Sequence, residues 1–390
     1  MTLEGYRVVE LGVWVAGPSA GGLLADWGAD VVKIEAPGGD PMRRLFAVLA
    51  GHGQTESPPF DLDNRGKRSV VLDLTTDDGR EDARRLVATA DVFLTNLRPE
   101  AVDRLGLGAD DLLAANPRLV YASVTGYGRD GPDAHRAGYD VGAFWARAGI
   151  ARSLVPDDEA PVDVRAGMGD HVTGLTILSG ILAALLQRER TGTGQLVETS
   201  LLRTGIYCVG WDLGIRLRFG KLAPTQPRTR MMNPMVNCYR AADGEWFWLL
   251  GVESDRLWPK LVRALDRADL GEDERFATAR ARRHHPEECI AALDEVFATL
   301  TRDEWVERFD RHDVWWAPAH RPEDVLEDPQ ALAAGAFVDV PAGASGPAHR
   351  AVATPVTFSA DDPDRRPGPV PALGEHTDEV RRELHGPDVR

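Results

Sequence analysis

One aspartate lies in a setting where its carboxylate could act as a nucleophile. Asp170 ends the run Ala166-Gly-Met-Gly-Asp170, and His171 and a long apolar stretch follow it. The two glycines leave room for a large ligand to approach the backbone, and the dipole of the helix that follows would keep the carboxylate ionised. An ionised carboxylate in a confined loop can form a covalent intermediate. The spacing alone favours a simpler role as the N-cap of the helix, with His171 as the first helical residue.

A second loop of small residues follows the first predicted strand. Four residues separate Gly12 from Gly17, and Pro18 stands where a phosphate-binding loop requires lysine. The spacing does not match G-x-G-x-x-G, so both a nucleotide triphosphatase and a nicotinamide enzyme are disfavoured. Free amides at the start of the next helix could still meet an anion. A tight turn with proline at the first helical position explains the pattern more simply.

Basic residues recur near predicted strand ends in the first part of the chain: Arg43, Arg44, Lys67, Arg68, Arg98 and Arg104. Ligands of open α/β sheets bind beyond the carboxyl ends of the strands. Asn96 and Arg98 directly follow one such strand. Such a group could hold a phosphorylated ligand through charge-assisted hydrogen bonds. Any single arginine is more often a solvated surface residue.

The elements that must position these residues alternate between strand and helix. Strands are predicted at 7–11, 31–35, 69–74, 92–95, 119–124 and 195–200, and helices at 19–27, 77–89, 101–105, 109–115, 170–190 and 201–218. Strand–helix–strand units of this kind predict a parallel sheet. We therefore expect a large α/β domain over residues 1–219.

The composition changes near residue 220. A hairpin turning at Asp243-Gly244 and charged helices predict a smaller α+β domain over 220–329. Residues 330–390 carry strand candidates at 337–340 and 356–358 and a helix at 377–384. We expect this last segment to complete the large domain.

Charge and composition exclude several classes of protein. The 390 residues include 45 basic and 61 acidic side chains, a net charge of −16, which disfavours a nucleic-acid partner. The three cysteines (Cys208, Cys238 and Cys289) are too few for a disulfide framework, and no motif suggests a metal site. No leader is visible, and the interrupted apolar stretch at 172–186 is too short to cross a bilayer. A cytoplasmic protein with no membrane partner is expected.

An ordered set of short motifs between residues 8 and 195 resembles the family III CoA-transferases, the CaiB/BaiF family. The matching runs include Val8-Val-Glu-Leu11, Leu24-Ala-Asp-Trp-Gly-Ala-Asp-Val-Val-Lys-Ile-Glu35, Asn64-Arg-Gly-Lys-Arg-Ser69, Asn96-Leu-Arg-Pro99, Asn116-Pro-Arg-Leu-Val-Tyr121, Gly169-Asp170 and Thr191-Gly-Thr-Gly-Gln195. No single run is decisive, but their order along the chain is that of the family.

The resemblance implies a Rossmann-like open parallel-sheet domain, a smaller α+β domain and an interlocked, ring-like homodimer. It implies that Asp170 attacks an acyl-CoA thioester, that a mixed anhydride and an aspartyl-CoA thioester follow, and that a small carboxylic acid receives the CoA. CoA thioester is then a substrate, and no tightly bound cofactor or metal is implied. We infer that amides from Gly167 to Gly169 could stabilise the oxyanions. The implied substrate-contacting positions are Val15, Ala16, Leu72, Asn96, Leu97, Arg104, Tyr139, Gly169 and Leu201.

Two departures from the family pattern bear on the substrate. No glycine-run loop appears between residues 220 and 251, so whether a gating loop covers Asp170 is open. Val15 stands where formyl-CoA-type members carry glutamine, which argues against the smallest polar acids. The tryptophans and Met231-Met232 favour a larger, more apolar acid.

Two other functions remain open. An α-methylacyl-CoA racemase shares the implied fold, but its G-H-D motif corresponds here to Gly138-Tyr139-Asp140. Because tyrosine is a poor base near neutral pH, the motif favours transfer over racemisation. The second alternative is a non-catalytic dimer that binds CoA thioesters. The intact glycine loop around Asp170 argues against it.

Overall fold

A computed structural model describes residues 1–45, 48, 56–362 and 366–385. The chain forms two compact units. The first contains Met1–Ala151, Asp163–Leu222 and Gly335–Arg390, and the second contains Arg152–Val162 and Ala223–Ala334. The short segment Arg152–Val162 therefore belongs to the second unit, although the first unit surrounds it in sequence.

A six-stranded sheet forms the centre of the first unit. Its strands are β1 (Arg7–Leu11), β2 (Asp30–Glu35), β3 (Arg68–Val71), β4 (Val92–Thr95), β5 (Val120–Thr125) and β6 (Leu196–Ser200). The order across the sheet is β3-β2-β1-β4-β5-β6, and every pair is parallel. The predicted mixed α/β fold with an open parallel sheet is confirmed. The strand order reverses between β1 and β4, which is where such sheets bind ligands.

Helices cover both faces of this sheet. In chain order the first nine are α1 (Ala16–Asp26), α2 (Pro58–Asn64), α3 (Asp77–Ala88), α4 (Pro99–Arg104), α5 (Ala109–Ala115), α6 (Ile150–Ser153), α7 (Met168–Thr191), α8 (Leu201–Cys208) and α9 (Gly210–Phe219), with a 3₁₀ turn at Pro41–Arg44 and a π-helix at Val141–Arg147. Alternate strand residues enter the two cores, so Val8 packs with α1 and α7 while Val9 packs on the opposite face. The helix expected over 201–218 is broken at Val209, whose φ and ψ of −95° and 18° depart from helical values.

The long helix α7 lies against α1 because both are lined with small residues. A Cβ at Gly174 would lie 2.1 Å from Ser19 Oγ. Within the described part of the chain, α7 alone is long and apolar enough to cross a membrane by length and composition. The expectation that this stretch is too short was therefore wrong, since the helix extends beyond it at both ends. Ile177 and Ile181 are buried in the core of the first unit.

The second unit has its own sheet and its own aromatic core. The antiparallel strands are β7 (Val236–Arg240), β8 (Trp246–Leu250) and β9 (Trp316–Pro318), and the helices are α10 (Ser254–Leu265), α11 (Ala268–Glu272), α12 (Ala279–His284), α13 (Pro286–Phe297), α14 (Arg302–His312), α15 (Pro322–Val325) and α16 (Pro329–Ala333). The predicted hairpin at Asp243-Gly244 joins β7 to β8. Phe247, Phe297 and Phe309 are fully buried beneath it.

The C-terminal segment returns to the first unit. It contributes the antiparallel pair β10 (Phe337–Val340) and β11 (His349–Val352) and the helix α17 (Thr377–His385). The strand expected at 356–358 is not formed. Phe358 instead packs edge-on against Trp27, with ring centroids 5.3 Å apart.

Candidate active site

Asn96 joins the loop after β1 to the loop after β4. The Val13 amide donates to Asn96 Oδ1 at 3.0 Å, and Asn96 Nδ2 donates to the Val13 carbonyl at 2.7 Å. A Cβ at Gly17 would lie 3.2 Å from Asn96 Cβ, a tight contact, so glycine favours this close approach. The expectation of proline at the first helical position was wrong: α1 begins at Ala16, and Pro18 is its third residue.

Charged side chains that are fully buried hold the loop between β1 and α1 from below. Lys33 Nζ donates to Glu10 Oε1 at 2.8 Å and to the Gly12 carbonyl at 2.9 Å. Lys67 Nζ donates to Glu10 Oε2 at 2.7 Å and to the Pro18 carbonyl at 2.8 Å. The two lysines therefore fix both ends of the loop through one shared carboxylate.

Asp40 completes this buried network. Its Oδ2 lies 3.0 Å from Lys33 Nζ, and its Oδ1 accepts the Trp14 amide at 3.1 Å. Trp14 needs such an anchor, because its φ of 66° is in the left-handed region that non-glycine residues rarely adopt. Burial lowers the pKa of Lys67 to about 8, with Glu10 opposing it. The site's loop is thus held by two positive and two negative side chains.

The basic residues singled out in the sequence do not form one ligand-binding group. Arg43 pairs with Glu35 at 2.7 Å, and Arg68 pairs with Asp30 at 2.7 Å. Lys67 is a core residue rather than a solvated one. Arg98 is exposed, and its guanidinium donates no hydrogen bond to, and forms no ion pair with, any of the described residues.

A pocket of about 160 Å³ opens at the strand-order reversal between β1 and β4. It brings together three of the predicted positions, Asn96, Leu97 and Tyr139, and adds Trp14 and Arg98. The other lining residues are Pro99, Thr125, Gly126, Ala134, Arg136, Ala137 and Gly138. Tyr139 is 62% exposed, and its ring meets that of Trp14 edge-on at 5.9 Å. The pocket therefore has an aromatic wall and a free cation.

The other predicted contact positions lie outside the pocket's lining. Val15 and Ala16 are buried at the start of α1, and the side chains of Leu72 and Leu201 belong to the two cores of the sheet. Arg104 is exposed near the end of α4. None of these five positions is therefore brought into the pocket.

Asp170 lies in the first turn of α7 but is not its N-cap. The helix starts at Met168 after Gly167, whose φ of 90° requires glycine. Asp140 does the capping instead, because its Oδ2 accepts the amides of Gly167 at 2.8 Å and Gly169 at 3.3 Å. Those two amides are consequently occupied, which contradicts the role in oxyanion binding that we expected of them.

The Asp170 carboxylate has an unfavourable electrostatic environment. Burial, followed by the charge of Asp140, raises its pKa to about 7, and His171 opposes these effects. Burial and Asp140 therefore act against the ionisation that we expected the helix dipole to favour. Among the described residues, none hydrogen-bonds or ion-pairs with this carboxylate. An aspartate with a purely structural role would be expected to have such partners.

His171 is held by an aspartate that the sequence analysis did not identify. Its Nε2 lies 3.1 Å from Oδ1 of Asp63, which belongs to α2. Burial raises the pKa of Asp63, with His171 opposing the effect. Burial alone would lower the pKa of His171, but Asp63, Asp170 and Asp140 together raise it. His171 is the fourth residue of α7 rather than the first.

The two glycines around Met168 have different surroundings. A Cβ at Gly169 would lie 2.6 Å from Phe144 Cγ, so this glycine permits close packing against the π-helix rather than access for a ligand. A Cβ at Gly167 would meet only His171 Cε1 at 3.9 Å and Nδ1 at 4.0 Å. Of these two glycines, Gly167 is therefore the one with open space around it.

One signal could have revealed two of the residues that were missed. Glu10 and Lys33 lie inside apolar strand sequences, and a charge in a buried strand requires a partner. Asp63 and Asp140 have no comparable local signal.

Over residues 1–45, 48, 56–362 and 366–385, no group of three or more His, Cys, Asp or Glu side chains is placed to hold a metal ion.

Comparisons with known proteins agree on one family. The family model for CoA-transferase family III matches residues 3–377. The (R)-2-hydroxy-4-methylpentanoate CoA-transferase of Clostridioides difficile is 32% identical over 385 residues, which cover 98% of this chain and 96% of that protein. The cinnamoyl-CoA:phenyllactate CoA-transferase of Clostridium sporogenes is 34% identical over 85% of this chain and 81% of its own. A crystal structure of a CaiB/BaiF family protein from Brucella suis gives a TM-score of 0.84 at 34% identity, covering 98% of this chain and 99% of that one.

Proposed function

The chain belongs to CoA-transferase family III, the CaiB/BaiF family, and we propose that it transfers CoA from an acyl-CoA thioester to a free carboxylic acid through Asp170. One observation carries this proposal. The Asp170 carboxylate is partly accessible and lacks a hydrogen-bond or ion-pair partner among the described residues, and its pKa is raised to about 7. These properties suit a nucleophile better than a structural cap.

The proposed reaction passes through two kinds of covalent intermediate. An oxygen of Asp170 attacks the thioester carbonyl, the C–S bond breaks, and a mixed anhydride forms. The CoA sulfur then attacks the aspartyl carbonyl and releases the donor acid, which leaves an aspartyl-CoA thioester. An acceptor carboxylate attacks this thioester, its C–S bond breaks, and CoA leaves as a second anhydride forms. The CoA sulfur then attacks the acceptor's carbonyl carbon, which gives the new acyl-CoA and releases the Asp170 carboxylate. Each step exchanges one acyl bond for another of similar energy, so no ATP is needed.

The pocket at the strand-order reversal is the proposed site for part of the CoA substrate. One of its two arginines, Arg98, can bind a phosphate, and the rings of Trp14 and Tyr139 can pack on a flat group. Tyr139 precedes Asp140, which in turn holds the loop that carries Asp170. The pocket and the nucleophile are thus joined through consecutive residues. CoA is a substrate here, and no tightly bound cofactor is proposed.

The proposed acceptor or donor is an acid with an apolar substituent. Val15 offers no polar group where formyl-CoA-type members have glutamine. The two relatives compared above are named for 2-hydroxy-4-methylpentanoate and for phenyllactate. Both names describe 2-hydroxy acids with apolar side chains, which supports this substrate class.

Racemisation and a purely binding role receive less support from the site. The residue at the position of the racemase histidine is Tyr139, whose ring packs against Trp14. A phenol is a weak base near neutral pH. A protein that only bound CoA thioesters would gain nothing from an unpartnered carboxyl group of raised pKa.

We also propose that the enzyme is a cytoplasmic, interlocked homodimer without nucleic-acid or membrane partners. The apolar surface of α9 supports the dimer, because Trp211 is 83% exposed, Leu217 88% and Phe219 70%. No residue of α9 is buried within the chain. Exposed apolar faces of this kind usually bind another protein surface.

Mass spectrometry tests the proposed function directly. The protein is incubated with a panel of acyl-CoA compounds and digested, and the peptide containing Asp170 is searched for covalently attached CoA. We expect an adduct in the wild type and in a control variant, Asp110→Ala, whose aspartate is exposed in the first turn of α5. Asp170→Ala should lose both the adduct and turnover while still folding and binding CoA. Turnover in Asp170→Ala would refute the mechanism.

A further inference from the structure

Gly167 leaves an open space at the start of α7, next to His171. Residues at positions i, i+3 and i+4 of a helix share a face, and Gly167, Asp170 and His171 have this spacing. Gly167 has no side chain, and the nearest atoms to the position of its missing Cβ are His171 Cε1 and Nδ1, at 3.9 and 4.0 Å. A thioester that reaches Asp170 over this glycine would lie beside the imidazole.

The imidazole is fixed on its opposite side. Its Nε2 is 3.1 Å from Asp63 Oδ1, and the Asp63 side chain is only 4% exposed, whereas that of His171 is 42% exposed. The other oxygen of Asp63 is buried and lacks a hydrogen-bond partner among the described residues. An anchored nitrogen on one edge and an open edge on the other are features of a proton-transfer pair.

We propose that the Asp63–His171 pair is a second catalytic element, in which Nδ1 of His171 gives a proton to the CoA sulfur when it leaves and takes it back when it returns. This inference rests on the proposed function. As the Asp170 oxygen bonds to the thioester carbon, the C–S bond breaks and sulfur takes the electron pair and the proton of Nδ1. When sulfur attacks the aspartyl carbonyl, the proton returns to Nδ1 and the donor acid leaves as its carboxylate.

The charges around the imidazole favour its protonated form. Asp63 of α2, Asp170 of α7 and Asp140, which precedes the π-helix, all face it and raise its pKa. Asp63 in turn lies near Lys67 and Glu10 of the buried network. The surrounding carboxylates therefore favour the form of His171 that can donate a proton to sulfur.

Two variants and one matched control test this role. His171→Gln keeps an amide that can hydrogen-bond to Asp63 but removes the titrating ring. Asp63→Asn keeps the ring but removes the charge that holds its proton. His285→Gln is the control, since His285 lies 3.2 Å from Glu288 with 41% side-chain exposure, which closely matches His171. For each protein, the rate of adduct formation at Asp170 and the pH profile of turnover are measured with the acyl-CoA that labels the wild type.

The wild type should give a bell-shaped pH profile whose falling limb reports loss of the imidazolium proton. His171→Gln should lose that limb and form the adduct about 100-fold more slowly. In Asp63→Asn the limb should move to lower pH, and His285→Gln should match the wild type. If His171→Gln labels and turns over within about twofold of the control, with an unchanged profile, the inference is overturned while the proposed function stands. If the wild type forms no adduct, the proposed function fails as well. Asp63→Asn decides the matter if His171→Gln does not fold.

Discussion

Replacing Asp170 with asparagine should make the folded protein more stable, and increasingly so as the pH rises. Asparagine keeps the shape of the side chain but carries no charge. In the folded chain, burial and then Asp140 raise the pKa of Asp170 from 3.8 to about 7. The folded state therefore binds more protons than the unfolded state between these values. The wild type loses stability as the pH rises through this window, and the loss is complete above the folded-state pKa.

The size of the effect follows from the difference in pKa. A difference of about 3 units corresponds to at most about 4 kcal/mol at pH 8, and to at most about 2 kcal/mol at pH 5. Because the side chain is only partly buried, solvent screening reduces both values. We expect Asp170→Asn to raise the free energy of unfolding by about 1–2 kcal/mol at pH 8 and by roughly half as much at pH 5.

Urea unfolding at pH 5 and pH 8, at one ionic strength, measures this difference. The mass of the variant is checked before each experiment, because an asparagine in such a site can deamidate to aspartate. Asp110→Asn is the control, because Asp110 is exposed in the first turn of α5. Loss of its charge removes a favourable interaction with the helix dipole, so this variant should be less stable by about 0.3–1 kcal/mol.

The test is decisive because the two substitutions should change the free energy of unfolding in opposite directions. If Asp170→Asn is less stable than the wild type at pH 8, the carboxylate is not held in an unfavourable environment. If its gain in stability is the same at pH 5 and pH 8, the effect does not come from ionisation. Either result would remove the electrostatic argument for Asp170 as the nucleophile.

Three further substitutions probe the rest of the site. Arg98→Ala should raise KM for the acyl-CoA about tenfold, which corresponds to a loss of ~1.4 kcal/mol of binding free energy. It should change kcat little, because Arg98 is proposed to contact a phosphate rather than the reacting atoms. Steady-state kinetics measures both constants. Leu217→Asp should convert the proposed dimer into monomers, which light scattering coupled to size-exclusion chromatography detects, and an unchanged mass would contradict the role given to α9. Lys67→Met should lower the free energy of unfolding by about 3–5 kcal/mol, because it leaves the buried Glu10 with one cation instead of two. A loss below about 1 kcal/mol, which is near the value of an exposed ion pair, would refute this account.

Local sequence was enough to predict the elements that carry the site. The strands at Arg7–Leu11 and Val92–Thr95 have the predicted bounds, because each is an apolar run ended by polar or small residues. The long helix was also predicted, but its start was not. Asp140, which lies far upstream in the sequence, caps this helix. No residue next to Asp170 in the sequence indicates that contact.

The charged residues show where reasoning from sequence alone reaches its limit. Lys67 was one of the basic residues considered for a ligand-binding group, yet it is buried and donates a hydrogen bond to Glu10 of β1. Asp63 was not identified for the same reason, since its partner His171 is 108 residues away. Such pairs depend on tertiary packing, whereas strand and helix patterns depend on nearby residues.

The buried network beneath the β1–α1 loop also constrains how this part of the protein can evolve. Lys33 and Lys67 are matched by Glu10 and Asp40, and all four are sealed from water. Losing one member strands its counter-charge in the interior, whereas losing an acid and a base together leaves no net charge behind. In proteins that descend from this sequence, an acid and a base of this network should therefore be replaced together rather than one at a time.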